Sequence, residues 1–409
     1  MPLTSEELLQ EALELGNSLV ANAIWNAEGC NWITLEYMFK ANRYQLQPLD
    51  DSLYTGRAGV SLFLAALVKI TGKREFQEVA LAALSPFRQS LKKAEVRKEL
   101  LRSELGLLGL GGIIYSLVKI SQFLQEPTLL EDANQAARLI TPEAIATDEK
   151  LDIMWGVAGV ILGLLPLYYQ TGSQAVLDLA ITCGNHLLSK RTHTVPRAWI
   201  TLEQESKKPL TGFSHGASGI SFSLLRLYWA TGDTAYLAAA KEGVEYERSV
   251  FDQLVRNWPD FRLSEQTNQI NFIHAWCHGS VGIGLARLGG LPIIHTEETY
   301  SDIDIALETT QKYGVPSRDV DHLCCGRLGR TELFVVASQK LGNQEWLKTA
   351  RKQATWVVER AKENREYALL PHLPHSFLSP SFFRGSAGVG YQLLRLASPE
   401  SLPSVLIWE

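Results

Sequence analysis

Two hydrophobic patterns alternate along the chain. In the first, apolar residues cover every face of a helical turn, as in Val160-Ile161-Leu162-Gly163-Leu164-Leu165. Such a helix predicts burial on all sides. A narrower version follows Gly219, where Ile220, Leu224, Leu227 and Tyr228 fall on one helical face. The second pattern is amphipathic, with charges confined to one face, as from Arg74 to Lys92 and from Thr234 to Gln253. The two patterns predict a buried inner helix followed by an outer helix, over and over.

A glycine pair marks the start of each inner helix. The unit Gly-x-x-Gly recurs at Gly56, Gly109, Gly156, Gly216, Gly279, Gly326 and Gly385, with spacings of 53, 47, 60, 63, 47 and 59 residues. Seven copies at this period imply one repetitive architecture rather than a string of unrelated domains. Open solenoids usually have shorter periods, about 33 to 47 residues. A wholly apolar inner layer also favours closure, since a ring has no exposed ends. The fold expected is therefore all-α, an α/α toroid of seven inner and seven outer helices, forming a single domain over residues 1–409. The connections 191–210, 256–272 and 364–382 are long and of mixed polarity, and loops of that length often carry function.

Composition narrows the class. Of 409 residues, 46% are apolar and 20% charged, and 39 basic against 44 acidic side chains leave a net charge of −5. That balance excludes a basic nucleic-acid binder and a disordered chain. The apolar stretch Val157 to Tyr169 is shorter than the roughly 20 residues of a bilayer span. Residues 1–10 show neither the basic start nor the apolar core of a secretion signal. A cytoplasmic protein is the expectation. Five cysteines, Cys30, Cys183, Cys277, Cys324 and Cys325, are too few and odd in number for a disulfide framework.

Chemistry enters just before the glycines. Thr55, Leu108 and Arg384 precede the first glycine in three copies, whereas three others read Ser214-His215-Gly216, Cys277-His278-Gly279 and Cys324-Cys325-Gly326. Equivalent positions of a ring converge at one end, so three thiols and a histidine should meet at the central opening. Thiolate and imidazole are preferred zinc ligands. The alternative is that these are small buried cysteines packing at helix starts.

The motifs Trp276-Cys277-His278-Gly279 and Cys324-Cys325-Gly326, supported by Gly212-Phe213-Ser214-His215-Gly216, resemble those of the lanthionine synthetase cyclases, the LanC-like family. The resemblance runs through all seven glycine motifs. It is strongest to the cyclase part of class II lanthipeptide synthetases of the prochlorosin type, where a Cys-Cys pair stands in place of Cys-His. It implies one zinc ion held by Cys277, Cys324 and Cys325, a catalytic His215 and a catalytic Asp152. It implies addition of a peptide cysteine thiol to dehydroalanine or dehydrobutyrine, closing a thioether ring in a dehydrated precursor peptide. A dehydratase, as a separate protein or as part of a larger enzyme, is the implied partner. With Cys325 in place of histidine, the loaded site carries formal charge −1 instead of zero. The extra charge should loosen the metal's hold on the substrate sulfur and make it more reactive.

Two further readings remain at this stage: a LanC-like enzyme that adds glutathione to dehydrated proteins, and a peptide-binding ring without catalysis. A toroidal glycosidase would need two facing carboxylates, and only Asp152 sits at a glycine motif. His274, His278 and His322 lie beside the cysteines as loop or pocket residues. Arg327 and Arg384 fall near the ring mouth, where they either meet substrate or remain surface arginines.

Overall fold

The computed structural model describes residues 2–38, 42–93, 104–262, 264–267, 269–314, 320–370 and 379–409. An opening helix, α1 (Ser5–Ala21), leads into four short strands: β1 (Ile24–Asn26), β2 (Gly29–Asn31), β3 (Ile33–Met38) and β4 (Arg43–Pro48). These form two separate antiparallel hairpins, the second pairing Thr34 with Gln47 and Leu35 with Leu46. The hairpins are the one departure from the all-helical expectation. They lie before the first glycine motif and outside the repeat.

The repeats then follow as helix pairs: α2 (Arg57–Thr71) with α3 (Glu75–Ser90), and α4 (Leu110–Leu124) with α5 (Thr128–Ala137) and the short α6 (Pro142–Ala146). Next come α7 (Val157–Thr171) with α8 (Gln174–Ser189), and α9 (Ala217–Thr231) with α10 (Thr234–Ser249). After a short α11 (Ser264–Thr267), α12 (Ser280–Gly290) pairs with α13 (Glu297–Thr309), and α14 (Arg327–Leu341) with α15 (Gln344–Asn364). The seventh inner helix, α16 (Ser386–Ala397), has no outer helix after it. Helix α1 packs there instead, and α16 also packs on α2, so the two ends of the sequence close an α/α toroid. Among the described residues, seven inner and seven outer helices make the ring.

Burial follows the two sequence patterns. Helix α7 is buried continuously from Val157 to Leu165. Outer helix α10 buries only a stripe that includes Tyr236, Ala239, Ala240 and Val244. Several inner helices end on a glycine in the left-handed region (Gly72, Gly172, Gly232 and Gly342, φ 64 to 74°), which turns the chain tightly into the outer helix. No helix among the described residues is long and apolar enough to cross a membrane.

The glycine pairs have a steric cause. Each first glycine is the N-cap of its inner helix, and the second is that helix's third residue. At Gly282 a β-carbon would sit on the carbonyl oxygen of Trp276, and at Gly329 on that of Leu323. Only hydrogen fits between the helix start and the loop before it, which pins those loops at the ring's centre.

The loops also bind one another. Phe383 N–H donates to Tyr54 C=O, Cys324 N–H to Phe383 C=O, Ser214 N–H to Cys277 C=O, Ile153 N–H to Ser214 C=O and Leu107 N–H to Ile153 C=O, at 2.9 to 3.2 Å. Tyr54, Leu107, Ser214, Cys277, Cys324 and Phe383 all stand two residues before a first glycine. One end of the toroid is thus a belt of hydrogen-bonded turns. At the other end residues 402–408 fill the centre: Leu402, Val405, Leu406, Ile407 and Trp408 are buried, and Trp276 donates its indole N–H to Leu406 C=O at 2.9 Å.

Candidate metal centre and active site

Cys277 and Cys324 occupy the same repeat position in neighbouring turns, and Cys325 follows directly. The belt therefore brings the three Sγ atoms together: Cys277–Cys325 is 3.4 Å, Cys324–Cys325 is 3.3 Å, and all lie within 4.8 Å of one another. None is disulfide-bonded. Zinc–sulfur bonds near 2.3 Å put tetrahedrally arranged sulfurs about 3.8 Å apart, so the donor set and its spacing fit a zinc ion. The Cys325 thiol is held well below its ordinary pKa, first by the hydrogen bond from Cys277 and then by that from Cys324. Cys30 and Cys183 are buried elsewhere, and burial pushes both thiols up, Cys30 to about 11.

The thiols open into a cavity of about 710 Å3 at the mouth of the ring. Its wall takes Arg262 from the long 256–272 connection, Ile273 just after it, and Ala368 and Leu370 from the 364–382 connection, of which residues 371–378 lie outside the described residues. The 191–210 connection stands behind the wall, where Thr201 Oγ1 donates to His215 C=O at 2.6 Å.

His215 lines this cavity, one turn of the belt from Cys277. Its Nδ1 lies 2.6 Å from Asp152 Oδ2, and the Asp152 side chain is completely buried. Asp152 works in two directions, because its Oδ1 accepts the N–H groups of Trp155 (2.8 Å) and Gly156 (3.3 Å) at the start of α7. One side chain thus braces the turn before α7 and holds the imidazole, while the first N–H of the helix, that of Val157, goes to Asp148 Oδ2 at 2.9 Å. Trp155 stacks on the imidazole at 4.6 Å, fixing its plane.

The loop carrying His215 is held from beneath by a buried carboxylate. Glu247 on α10 accepts from Gly212 N–H (3.0 Å), Ser218 N–H (3.1 Å) and Ser218 Oγ (2.6 Å). Arg287 on α12 neutralises it at 2.8 Å and reaches Asp302 at 3.0 Å. A buried charge costs heavily unless paired and hydrogen-bonded, and here every partner is supplied. The network ties the turn of His215 to the helix that follows Cys277.

The other residues near the cysteines divide. His278 is fully buried, lines the cavity and stacks at 5.8 Å on His215; burial drops its pKa to about 3. His322 also lines the cavity and is lowered to about 4 by burial. His274 stands outside, between Asn257 and Ser280. Arg327 turns away, its guanidinium 3.9 Å from the Trp356 ring and bonded to Gln353, whereas Arg384 is exposed and lines the cavity.

Three wall residues escaped the sequence reading: Tyr54, stacked on Phe383 at 4.8 Å; Arg262, held on Asp260 by a bond of 2.8 Å; and Arg330, which donates to His274 C=O and Cys325 C=O. Tyr54 shares the repeat position of Cys277 and Cys324, and that register is the signal that identifies it. Arg262 lies in an irregular loop and offers none.

Comparisons with known proteins agree with this geometry. The profile of the lanthionine synthetase C-like proteins matches residues 47–407. Among solved structures, nisin cyclase superposes with a TM-score of 0.67 at 17% identity, covering 87% of this chain and 91% of that one. A sugar epimerase from a ruminal bacterium superposes with a TM-score of 0.50 at 11% identity, covering 97% and 99%. At these identities the two structures speak for the shared toroid alone.

Proposed function

The chain belongs to the lanthionine synthetase C-like family, and on that premise we propose that it is a zinc-dependent cyclase closing thioether rings in a dehydrated peptide. The observation that carries the reading is one cavity wall holding both three convergent sulfurs and a histidine oriented by a buried aspartate. The family match over residues 47–407 supports the same class of chemistry. Cys277, Cys324 and Cys325 are the residues that would hold the zinc. Zinc bound there would lower the pKa of an incoming peptide thiol and keep it as a thiolate at neutral pH.

The reaction is an addition, so nothing leaves. The thiol loses its proton, sulfur bonds to the β-carbon of dehydroalanine or dehydrobutyrine, and the α-carbon gains a proton. His215 is suited to that last transfer. With Nδ1 against Asp152, its Nε2 is the nitrogen available to substrate, and imidazole exchanges protons near neutral pH. Asp152 fixes the tautomer and ring orientation without meeting substrate. Trp155 holds the imidazole plane, and Trp276 lines the cavity beside Cys277. The dehydrated residues come from a dehydratase, either a separate protein or a further part of the same enzyme, in the reducing cytoplasm where the thiols stay free.

The test is to incubate the zinc-loaded protein with a peptide containing one cysteine and one dehydrobutyrine. Ring closure leaves the mass unchanged but removes the alkylatable thiol. Loss of alkylation well beyond the uncatalysed rate supports the proposal; a thiol that stays fully alkylatable over many hours overturns it.

A further inference from the structure

Four consecutive repeats place a chemically active side chain directly before the first glycine: His215, His278, Cys325 and Arg384. The proposed function uses His215, Cys325 and the neighbouring Cys277 and Cys324, and leaves the exposed Arg384 without a role. It stands on the cavity wall at the far side of the cysteines from His215, close enough for its charge to act on Cys325 and Tyr54, and among the described residues it makes no ion pair. The cavity's other arginines are committed, Arg262 to Asp260 and Arg330 to backbone carbonyls.

Arg384 also lines a second cavity, of about 280 Å3, that shares Leu370 with the first. Thr34, Tyr44 and Gln47 of the β3–β4 hairpin, Asp50 and Ser379 form its other walls. Asp50 keeps its charge there but is held by local donors and makes no ion pair with Arg384. Its Oδ1 accepts from Ser52 N–H (2.8 Å) and Ser52 Oγ (2.7 Å), and its Oδ2 from Thr55 Oγ1 (2.8 Å). Among the described residues, the tract past the thiols thus carries one arginine without an ion-pair partner, set among hydroxyl side chains such as Thr34 and Ser379 and apolar ones such as Leu35 and Leu49. A peptide whose cysteine sits at the three sulfurs is larger than the first cavity. Its chain must leave, and this tract leads out on the cysteine's side of the site.

We infer that the tract from the cysteine cluster past Arg384 onto the β3–β4 hairpin holds the peptide segment flanking the reacting cysteine, and that Arg384 binds a carboxylate side chain on that segment. The inference rests on the peptide-cyclase reading and deepens it by naming a substrate preference: an Asp or Glu close to the cysteine that is to be joined.

Binding tests this without any ring closure. Three peptides, acetylated and amidated so that no terminal charge competes, carry one cysteine with Glu, Gln or Lys two residues away. Their Kd values are measured by fluorescence anisotropy on the zinc-loaded wild type, Arg384→Glu and Arg384→Gln. A partly exposed charge pair changes affinity modestly, so the Glu peptide should bind wild type about threefold more tightly than the Gln peptide. The order should invert toward Lys on Arg384→Glu and flatten on Arg384→Gln, with zinc content unchanged in both. The same Glu preference in the variants as in wild type, no preference in wild type, or no peptide binding at all overturns the inference. Charge-dependent binding without ring closure would leave the inference standing and sink the cyclase reading instead.

Discussion

The two sides of the ring are built alike and do different things. In the first three repeats the residues before the glycine are Thr55, Leu108 and Trp155; in the last four they are His215, His278, Cys325 and Arg384. Both sides share the glycine N-caps and the same belt of loop-to-loop hydrogen bonds. What differs is the side chains that the belt presents. Backbone approach fixes the glycines, while the one or two residues before them point toward the opening and are free to vary. The scaffold thus supplies position; the last four turns present most of the side chains proposed for chemistry, and Asp152 and Trp155 reach in from the third.

The largest effect should separate thiols inside and outside the belt. Cys324→Ala should abolish ring closure, measured by thiol alkylation, while the thermal midpoint changes little. Cys183→Ala, deep in outer helix α8, should do the opposite, costing about 1 kcal/mol of stability in denaturant unfolding with ring closure intact. Equal loss of activity in both would erase the distinction drawn here.

Next comes the claim that the glycines serve both sides equally. A β-carbon at Gly109 would overlap Glu104 C=O, and one at Gly279, where φ is +80°, would overlap Ile273 C=O. Alanine at either should cost about 2 to 4 kcal/mol, read from chemical denaturation. A tolerated Gly109→Ala would mean that the inactive side is not held by the same approach.

Among the residues proposed for catalysis, His215→Ala should lower kcat by about 10²- to 10⁴-fold with zinc retained. Asp152→Asn, which keeps the contact but changes its proton, should cost about 10- to 100-fold and shift the pH profile of kcat. An unchanged pH profile would leave Asp152 as a brace of the turn before α7 only. Cys325→His should keep zinc while slowing ring closure and narrowing the set of accepted ring sizes, because it removes one negative charge from the loaded site. Identical rates across several peptides would contradict that. The smallest change is on the quiet side: Thr55→Val loses a hydrogen bond to Asp50, at most about 1 kcal/mol, and should leave zinc and ring closure untouched.

Most of this was legible because the repeat imposes a steric rule. Only hydrogen fits at Gly282 or Gly329, so the motif survives in the sequence and gives away both the helix pairs and the equivalent positions of Cys277 and Cys324. The hairpins at residues 24–48 were overlooked although Ile33, Leu35 and Tyr37 alternate with polar residues, because they stand outside the repeat. The seventh outer helix was expected after α16 but comes from α1, since ring closure joins segments that sequence order separates. Asp152 was reachable only through resemblance, as an aspartate before a helix reads equally well as a cap. Arg327 and Arg384 looked alike, yet Arg327 stands one residue after its glycine and turns onto Trp356, while Arg384 stands one before and faces the opening.

The central claim is that three sulfurs from two neighbouring turns form one metal site. Elemental analysis of the purified protein under reducing, chelator-free conditions tests it most directly, with Cys325→Ala beside the wild type. The account predicts one zinc per chain in the wild type and almost none in Cys325→Ala. A wild-type chain without zinc, or a variant that retains a full equivalent, would contradict it.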